Sequence, residues 1–275
     1  MSRLIKILLP INQRGTSEAC AAAAFRLAER YGASLEVLHP CPAPADRLPY
    51  ATELSPLYFE ELIDVGTKQV ALEKRKAEEW LAKTTRAFPK VHSELVTIEG
   101  PVAPRVATRA KVADISVLPR IEAKEEPFWA SARDAALFHS GRPVLVVPEA
   151  WNDPIGETVV IAWKDTVEAV RAVVAAQPFL IGIKHVKLVS VMEHSKDETG
   201  AAGMADYLSK ADLRVERVDL AADGDAGPAV LEAATGRGVL LVMGAYGHWR
   251  WREWVFGGVT DYVLRNTGVP VLMMH

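Results

Sequence analysis

A chain of 275 residues is long enough for one large domain or two ordinary ones, and 24% charged with 49% hydrophobic residues is an ordinary globular mixture. A formal net charge of -3 gives no basic excess with which to hold nucleic acid or an anionic membrane, and two cysteines, Cys20 and Cys41, cannot build a disulfide framework. The apolar run at the N-terminus is too short for a signal peptide and no stretch of about 20 apolar residues occurs, so a cytoplasmic soluble protein is expected.

Apolar runs and helical periodicities alternate along the chain. A strand at 5–11 precedes a helix at about 16–31, whose Ala21, Ala24, Leu27, Ala28 and Tyr31 share one face and which Gly32 can end. A strand at 34–39 and a long helix at about 56–88 follow; the charges from Glu73 to Glu79 read as a solvated helix face. Next come strand 92–98, helix 102–111, strand 114–118, helix 129–139 with His139-Ser140 as its end, and strand 143–147. Strand 158–163 then opens a second series: helix 166–177, strand 185–192, helix 200–209, strand 213–219, helix 227–236, strand 239–243, helix 258–266 and strand 269–274. Asp165 with Glu168 reads as a helix cap. Cys20, among alanines on the first helix, reads as a small buried residue.

The series repeat. Gly141-Arg-Pro-Val-Leu-Val-Val147 matches Gly268-Val-Pro-Val-Leu-Met-Met274, each with proline at a strand start, where its missing N–H is tolerated. The turn-rich segment 148–155 separates the copies, which places one unit at 1–150 and a second at 151–275. Alternating βα units with continuously apolar strands predict parallel sheets covered on both faces, doubly wound, with any ligand at the carboxyl ends of the strands.

After the apolar run Val239–Met243 the chain reads Gly244-Ala-Tyr-Gly247, then nine residues, then Gly257-Gly258-Val259-Thr260. Glycine lets backbone approach a ligand closely, and a helix start offers free N–H groups to an anion. Neither the G-x-x-x-x-G-K-[ST] loop nor the G-x-G-x-x-G fingerprint is present. A strand-to-loop turn explains two of these glycines without a ligand; it does not explain the pair at the next helix.

The spacing Gly244, Gly247, Gly257, together with Val160-Ile-Ala-Trp-Lys-Asp-Thr166 and Gly227-Pro-Ala-Val-Leu-Glu-Ala233, resembles the universal stress protein family. The resemblance spans both halves as a tandem pair and is weaker in the loops of the first. It implies two Rossmann-like units, akin to adenine nucleotide alpha hydrolases, each with a five-stranded parallel sheet and paired through their last strands about a pseudo-two-fold. It also implies that some members bind ATP or AMP, with or without Mg²⁺, and others bind none. In binders the glycines lead into Ser or Thr, where this chain has Gly258, so Thr260 is the nearby hydroxyl. Binders end the first strand in Asp, where this chain has Lys164 and, in the first half, Asn12. The first half reads Arg120-Ile-Glu-Ala-Lys-Glu-Glu-Pro-Phe128 where the glycines would be, so no nucleotide is expected there.

The resemblance thus assigns phosphate contacts to Gly244, Gly247, Gly257, Gly258 and Thr260 and base and ribose contacts to Ala162, Trp163 and Lys164, with Met243 and Val259 also in the nucleotide site. His248, Arg250 and Arg252 read either as a solvated face or as a cationic rim. Trp254 reads as packing, while Trp249 and Trp251 read either as packing or as an exposed aromatic patch for a partner or a stacking base. The histidines form no metal or Ser/His/Asp pattern. The expected role is a stress-response sensor or adaptor without catalytic turnover. The alternatives are an interaction protein without nucleotide and, third, a slow ATP hydrolase. The internal pair allows a monomer or a homodimer, and no contact with nucleic acid or membrane is expected.

Overall fold

The computed structural model describes residues 3–43, 56–121, 127–183, 185–192, 200–221, 226–246 and 258–275. The first half contributes strands β1 (Lys6–Pro10), β2 (Ser34–Cys41), β3 (Ser93–Glu99), β4 (Ile115–Pro119) and β5 (Val144–Val147). Its helices are α1 (Glu18–Tyr31), α2 (Pro56–Thr85), α3 (Val102–Ala110) and α4 (Pro127–His139). The second half contributes β6 (Thr158–Trp163), β7 (His185–Met192), β8 (Arg214–Ala221), β9 (Val239–Gly244) and β10 (Val271–Met274). Its helices are α5 (Val167–Ala175), α6 (Gln177–Leu180), α7 (Ala201–Ser209), α8 (Ala226–Ala233) and α9 (Gly258–Asn266).

The strands join in a single ten-stranded sheet of order β3-β2-β1-β4-β5-β10-β9-β6-β7-β8. Within each half all pairings are parallel; the halves meet where β10 runs antiparallel to β5, Val271 opposite Val146 and Met273 opposite Val144. The tandem architecture and the pairing through the last strands are therefore as the sequence led us to expect. The central strands are buried on both faces, every residue of β4 and β5 included, which is why they read as unbroken apolar runs rather than alternating ones.

Helix ends follow local chemistry. Ser17 caps α1 by accepting the Cys20 N–H, and Gly32, left-handed at φ 61, closes it by donating to Ala28 and Glu29 carbonyls. In the second half Thr166, not Asp165, is the cap: its hydroxyl accepts the Ala169 N–H at 3.3 Å. The helix expected at 166–177 stops at Ala175 and restarts as α6, because Pro178 lacks the N–H needed to continue it. His139 ends α4, and the Ser140 hydroxyl turns back to the Ala136 carbonyl.

Glu73 corrects the reading of α2 as uniformly solvated on its charged stretch. It is 5% exposed, because α2 lies across the end of β2 and sets Glu73 against Cys41, Oε2 to Sγ 3.6 Å. Gln69 donates to its other oxygen at 3.1 Å. Cys20 is buried as expected, and burial pushes its thiol up to about 12. Both thiols are expected to resist a disulfide reagent in the native protein and to react after denaturation. Fast native labelling of Cys20, read by mass spectrometry, would show that α1 opens.

Candidate functional site

The second half brings two helix starts to the carboxyl end of β9. Gly244 ends that strand, and a Cβ placed on it would lie 2.6 Å from the Ala169 backbone nitrogen and 2.7 Å from the Glu168 carbonyl carbon. The first turn of α5 therefore rests directly on the strand end, and only glycine permits the contact. Beyond it, the Ala245 N–H donates to the Met274 carbonyl at 2.9 Å, which extends the ladder by one residue.

Tyr246 then takes a left-handed backbone, φ 54, uncommon for a bulky residue. Its N–H donates to the Thr260 hydroxyl at 3.4 Å, which ties the strand exit to the first turn of α9. Its ring packs against Phe138 of α4, centroids 5.2 Å apart, and burial pushes its phenol up. Phe138 also meets His275 edge-on at 5.0 Å, and His275 Nδ1 lies 3.0 Å from the Ala245 carbonyl. Arg120 adds a bond from its Nη1 to the Arg265 carbonyl at 2.8 Å. The first half thus buttresses the strand exit of the second.

Several residues assigned by resemblance gather here. Ala162 pairs with Met243 across β6 and β9, and Met243 is buried. Gly258 is exposed at the first position of α9, Val259 is half-buried, and Thr260 is buried with its hydroxyl turned to the Tyr246 N–H. Trp163 is 6% exposed and belongs to the core, and Lys164 is exposed just past it. Gly247, Gly257, His248, Arg250, Arg252 and the three loop tryptophans, Trp249, Trp251 and Trp254, lie outside the described residues. So do the glutamates of the first-half loop, Glu122, Glu125 and Glu126.

The structure adds groups that the sequence reading passed over. Trp163 stands opposite Ser190 of β7, which stands opposite Asp219 of β8. Ser190 is fully buried, and its hydroxyl donates to Asp219 Oδ1 at 2.5 Å. Arg217, then Ser190, holds the Asp219 carboxyl below its ordinary range by hydrogen bonds. A lone Asp in an edge strand carried no sequence signal; only the register shows that it shares a row with the end of β6. Asp165, freed from the capping role, sets its carboxylate about the start of α7, Cγ 3.5 Å from where a Cβ on Gly200 would stand.

The first half is built differently at the equivalent place. Pro119 occupies in β4 the position of Gly244, since Arg120 N–H bonds the Val147 carbonyl as Ala245 N–H bonds that of Met274. Gly15, φ 89 in the turn after β1, is covered by the Trp80 indole, which leaves no room for a Cβ there. Among the described residues no three His, Cys, Asp or Glu side chains are grouped to hold a metal ion, and no helix is long and apolar enough to cross a membrane.

The universal stress protein family model matches residues 159–275. Among solved structures, a universal stress protein from Archaeoglobus fulgidus DSM 4304 superposes with a TM-score of 0.67 at 16% identity, over 98% of this chain and 95% of that one. A protein from Pseudomonas aeruginosa UCBPP-PA14, provisionally named a universal stress protein, superposes with a TM-score of 0.57 at 13% identity, over 98% and 93%. No curated protein matches the sequence significantly. At such identities the structural likeness speaks to the fold alone, and it covers both halves. The universal stress protein family model thus accounts for the second half of the chain, residues 159–275, and the solved structures extend the likeness of fold to the first half.

Proposed function

We propose that the protein is a stress-response sensor or adaptor that binds an adenine nucleotide, ATP or AMP, in its second half only. The observation that supports this is the meeting of two helix starts, α5 and α9, at the carboxyl end of β9, the second tied to the strand exit by the Tyr246–Thr260 bond. Both present the positive ends of helix dipoles, and the crevice lies where doubly wound sheets take ligands. Gly258 leaves its N–H to a phosphate; Asp219 offers the acceptor that Lys164 does not. In the first half Pro119 and the Trp80-covered turn oppose such a use. The same arrangement suits units at 1–150 and 151–275, the second carrying the ligand.

A second reading, an interaction protein without nucleotide, draws on the same site. Gly244 is accounted for by α5, the Thr260 hydroxyl already accepts a bond, and Trp163 fills the end of β6. Titration with ATP, with and without Mg²⁺, followed by calorimetry, separates the two. Saturable binding with one site per chain, abolished in Gly247→Val, is the expected result. No heat and no change in melting temperature at millimolar ATP would leave the second reading. Binding that survives Gly247→Val would mean that the glycine loop does not hold the phosphates. Product formation proportional to protein, lost in Gly257→Val, would be needed for hydrolysis.

A further inference from the structure

A different cavity lies between α1 and the segment 148–157 that connects the halves. Its volume is about 210 Å³, room for roughly seven waters at their liquid spacing. Ala19, Ala23 and Leu27 of α1 form one wall; Trp151 and Ile155, both buried, form the other. Two guanidiniums stand at the rim, each oriented by the connector: Arg26 Nη1 donates to the Asn152 carbonyl at 2.9 Å, and Arg30 Nη1 to that of Ile155 at 2.8 Å. Neither Arg26 nor Arg30 has a carboxylate partner among the described residues. The acid at the same rim, Asp153, is taken by Arg237, with Nε and Nη2 at 3.1 and 3.0 Å from Oδ1.

We infer that this cavity is a binding site for a small organic anion with a compact apolar body. Alanine and leucine walls favour an apolar body. Two unneutralised guanidiniums, held in place at the mouth, favour a carboxylate or a similar planar anion. Trp151 keeps its Nε1 buried with no hydrogen-bond partner, an uncommon state for an indole in a protein interior. An acceptor carried into the cavity by a ligand would satisfy that N–H. A second hollow of about 690 Å³ begins at Arg30 and Pro154 and continues past His185 at the amino end of β7, which leaves space for a longer ligand. This site touches the amino ends of β6 and β7, whereas the glycine crevice lies at the carboxyl ends of β6 and β9, so the two inferences stand or fall separately.

Benzoate is the probe, with benzamide as its uncharged counterpart and acetate as the anion without a body. Calorimetry on the full chain is paired with the indole N–H resonance of Trp151 in an amide-detected NMR spectrum. Benzoate is expected to bind saturably and shift that resonance, with benzamide and acetate at least about tenfold weaker. Arg30→Gln and Arg26→Gln are each expected to weaken benzoate several-fold while leaving the melting temperature in place. Ala23→Leu should fill the cavity and remove binding; if that variant misfolds, the arginine pair carries the test. Benzoate binding is expected to persist in Gly247→Val. Equal binding of benzoate and benzamide, no saturation on the order of 10 mM benzoate, or undiminished binding in both arginine variants would overturn the proposal.

Discussion

Gly244→Ala is expected to cost about 3 kcal/mol and to lower the melting temperature by roughly 5–10 °C. The added methyl would lie 2.6 Å from the Ala169 nitrogen and 2.7 Å from the Glu168 carbonyl carbon, both backbone atoms of the first turn of α5. A flexible side chain could swing aside, but a helix start cannot. Relief requires α5 to lift from β9, and Ala169, Ala172 and Val173 of α5 are buried against the sheet. Gly268→Ala is the control: a methyl there meets nothing within 4 Å, and a change within about 0.5 kcal/mol is expected. Thermal melts by circular dichroism decide between them. Equal melting temperatures for the two variants would mean that β9 and α5 are not in register-tight contact.

That result also governs how the nucleotide question is asked. Gly244 belongs to the glycine motif, yet its requirement is met by packing alone, so lost binding in a Gly244 variant would not distinguish a phosphate contact from a displaced helix. Gly247, three residues further along the motif, is the second probe, since its assignment rests on the motif alone. In the first half the homologous strand ends in Pro119, which bars the same approach of helix to strand. The asymmetry between the halves therefore begins with backbone packing, before any ligand is considered.

The fold was legible because its signals are redundant. Ten apolar runs, two matched Pro-Val-Leu segments and a turn-rich connector agree on two parallel units, and the β5–β10 pairing joins them. The site was legible only as backbone. Spacing located the glycines, but it did not reveal that α5 rests on one of them, that Thr260 already serves Tyr246, or that Ser190 and Asp219 share a row with Trp163. Each depends on register between segments distant in sequence. Glu73 shows the same dependence: a charged helical run looks solvated until the strand end it crosses is known. The cap at α5 failed on a finer scale, since Asp165 and Thr166 are both capping residues and only the backbone angles, φ -139 and ψ 155 at Thr166, select one.

Glu36 shows the same limit with the largest electrostatic consequence. Within the strand Ser34-Leu-Glu-Val-Leu it reads as an ordinary alternation, yet it is 4% exposed. Arg109 of α3 grips both oxygens, Nε to Oε1 at 2.5 Å and Nη2 to Oε2, and Lys6 reaches Oε2 at 2.6 Å. Burial raises the Glu36 pKa, but hydrogen bonds from Arg109 and Lys6 outweigh it and hold the carboxyl below its ordinary value. The second half does not repeat the device. Following the registers from Pro119 and Gly244 inward, the position of Glu36 falls on Lys187, whose Nζ donates to the Ala233 carbonyl at 3.4 Å. Glu36→Ala is expected to cost about 3 kcal/mol at neutral pH, since it leaves two part-buried cations without their carboxylate. Because the folded pKa is depressed, the stabilisation is present above the unfolded-state pKa and is lost as pH falls through the folded one. The gap between wild type and Glu36→Ala in urea titrations should therefore close in acid. A gap of the same size at neutral pH and well below the carboxylate range would mean that Glu36 stabilises the first half by packing, not by charge.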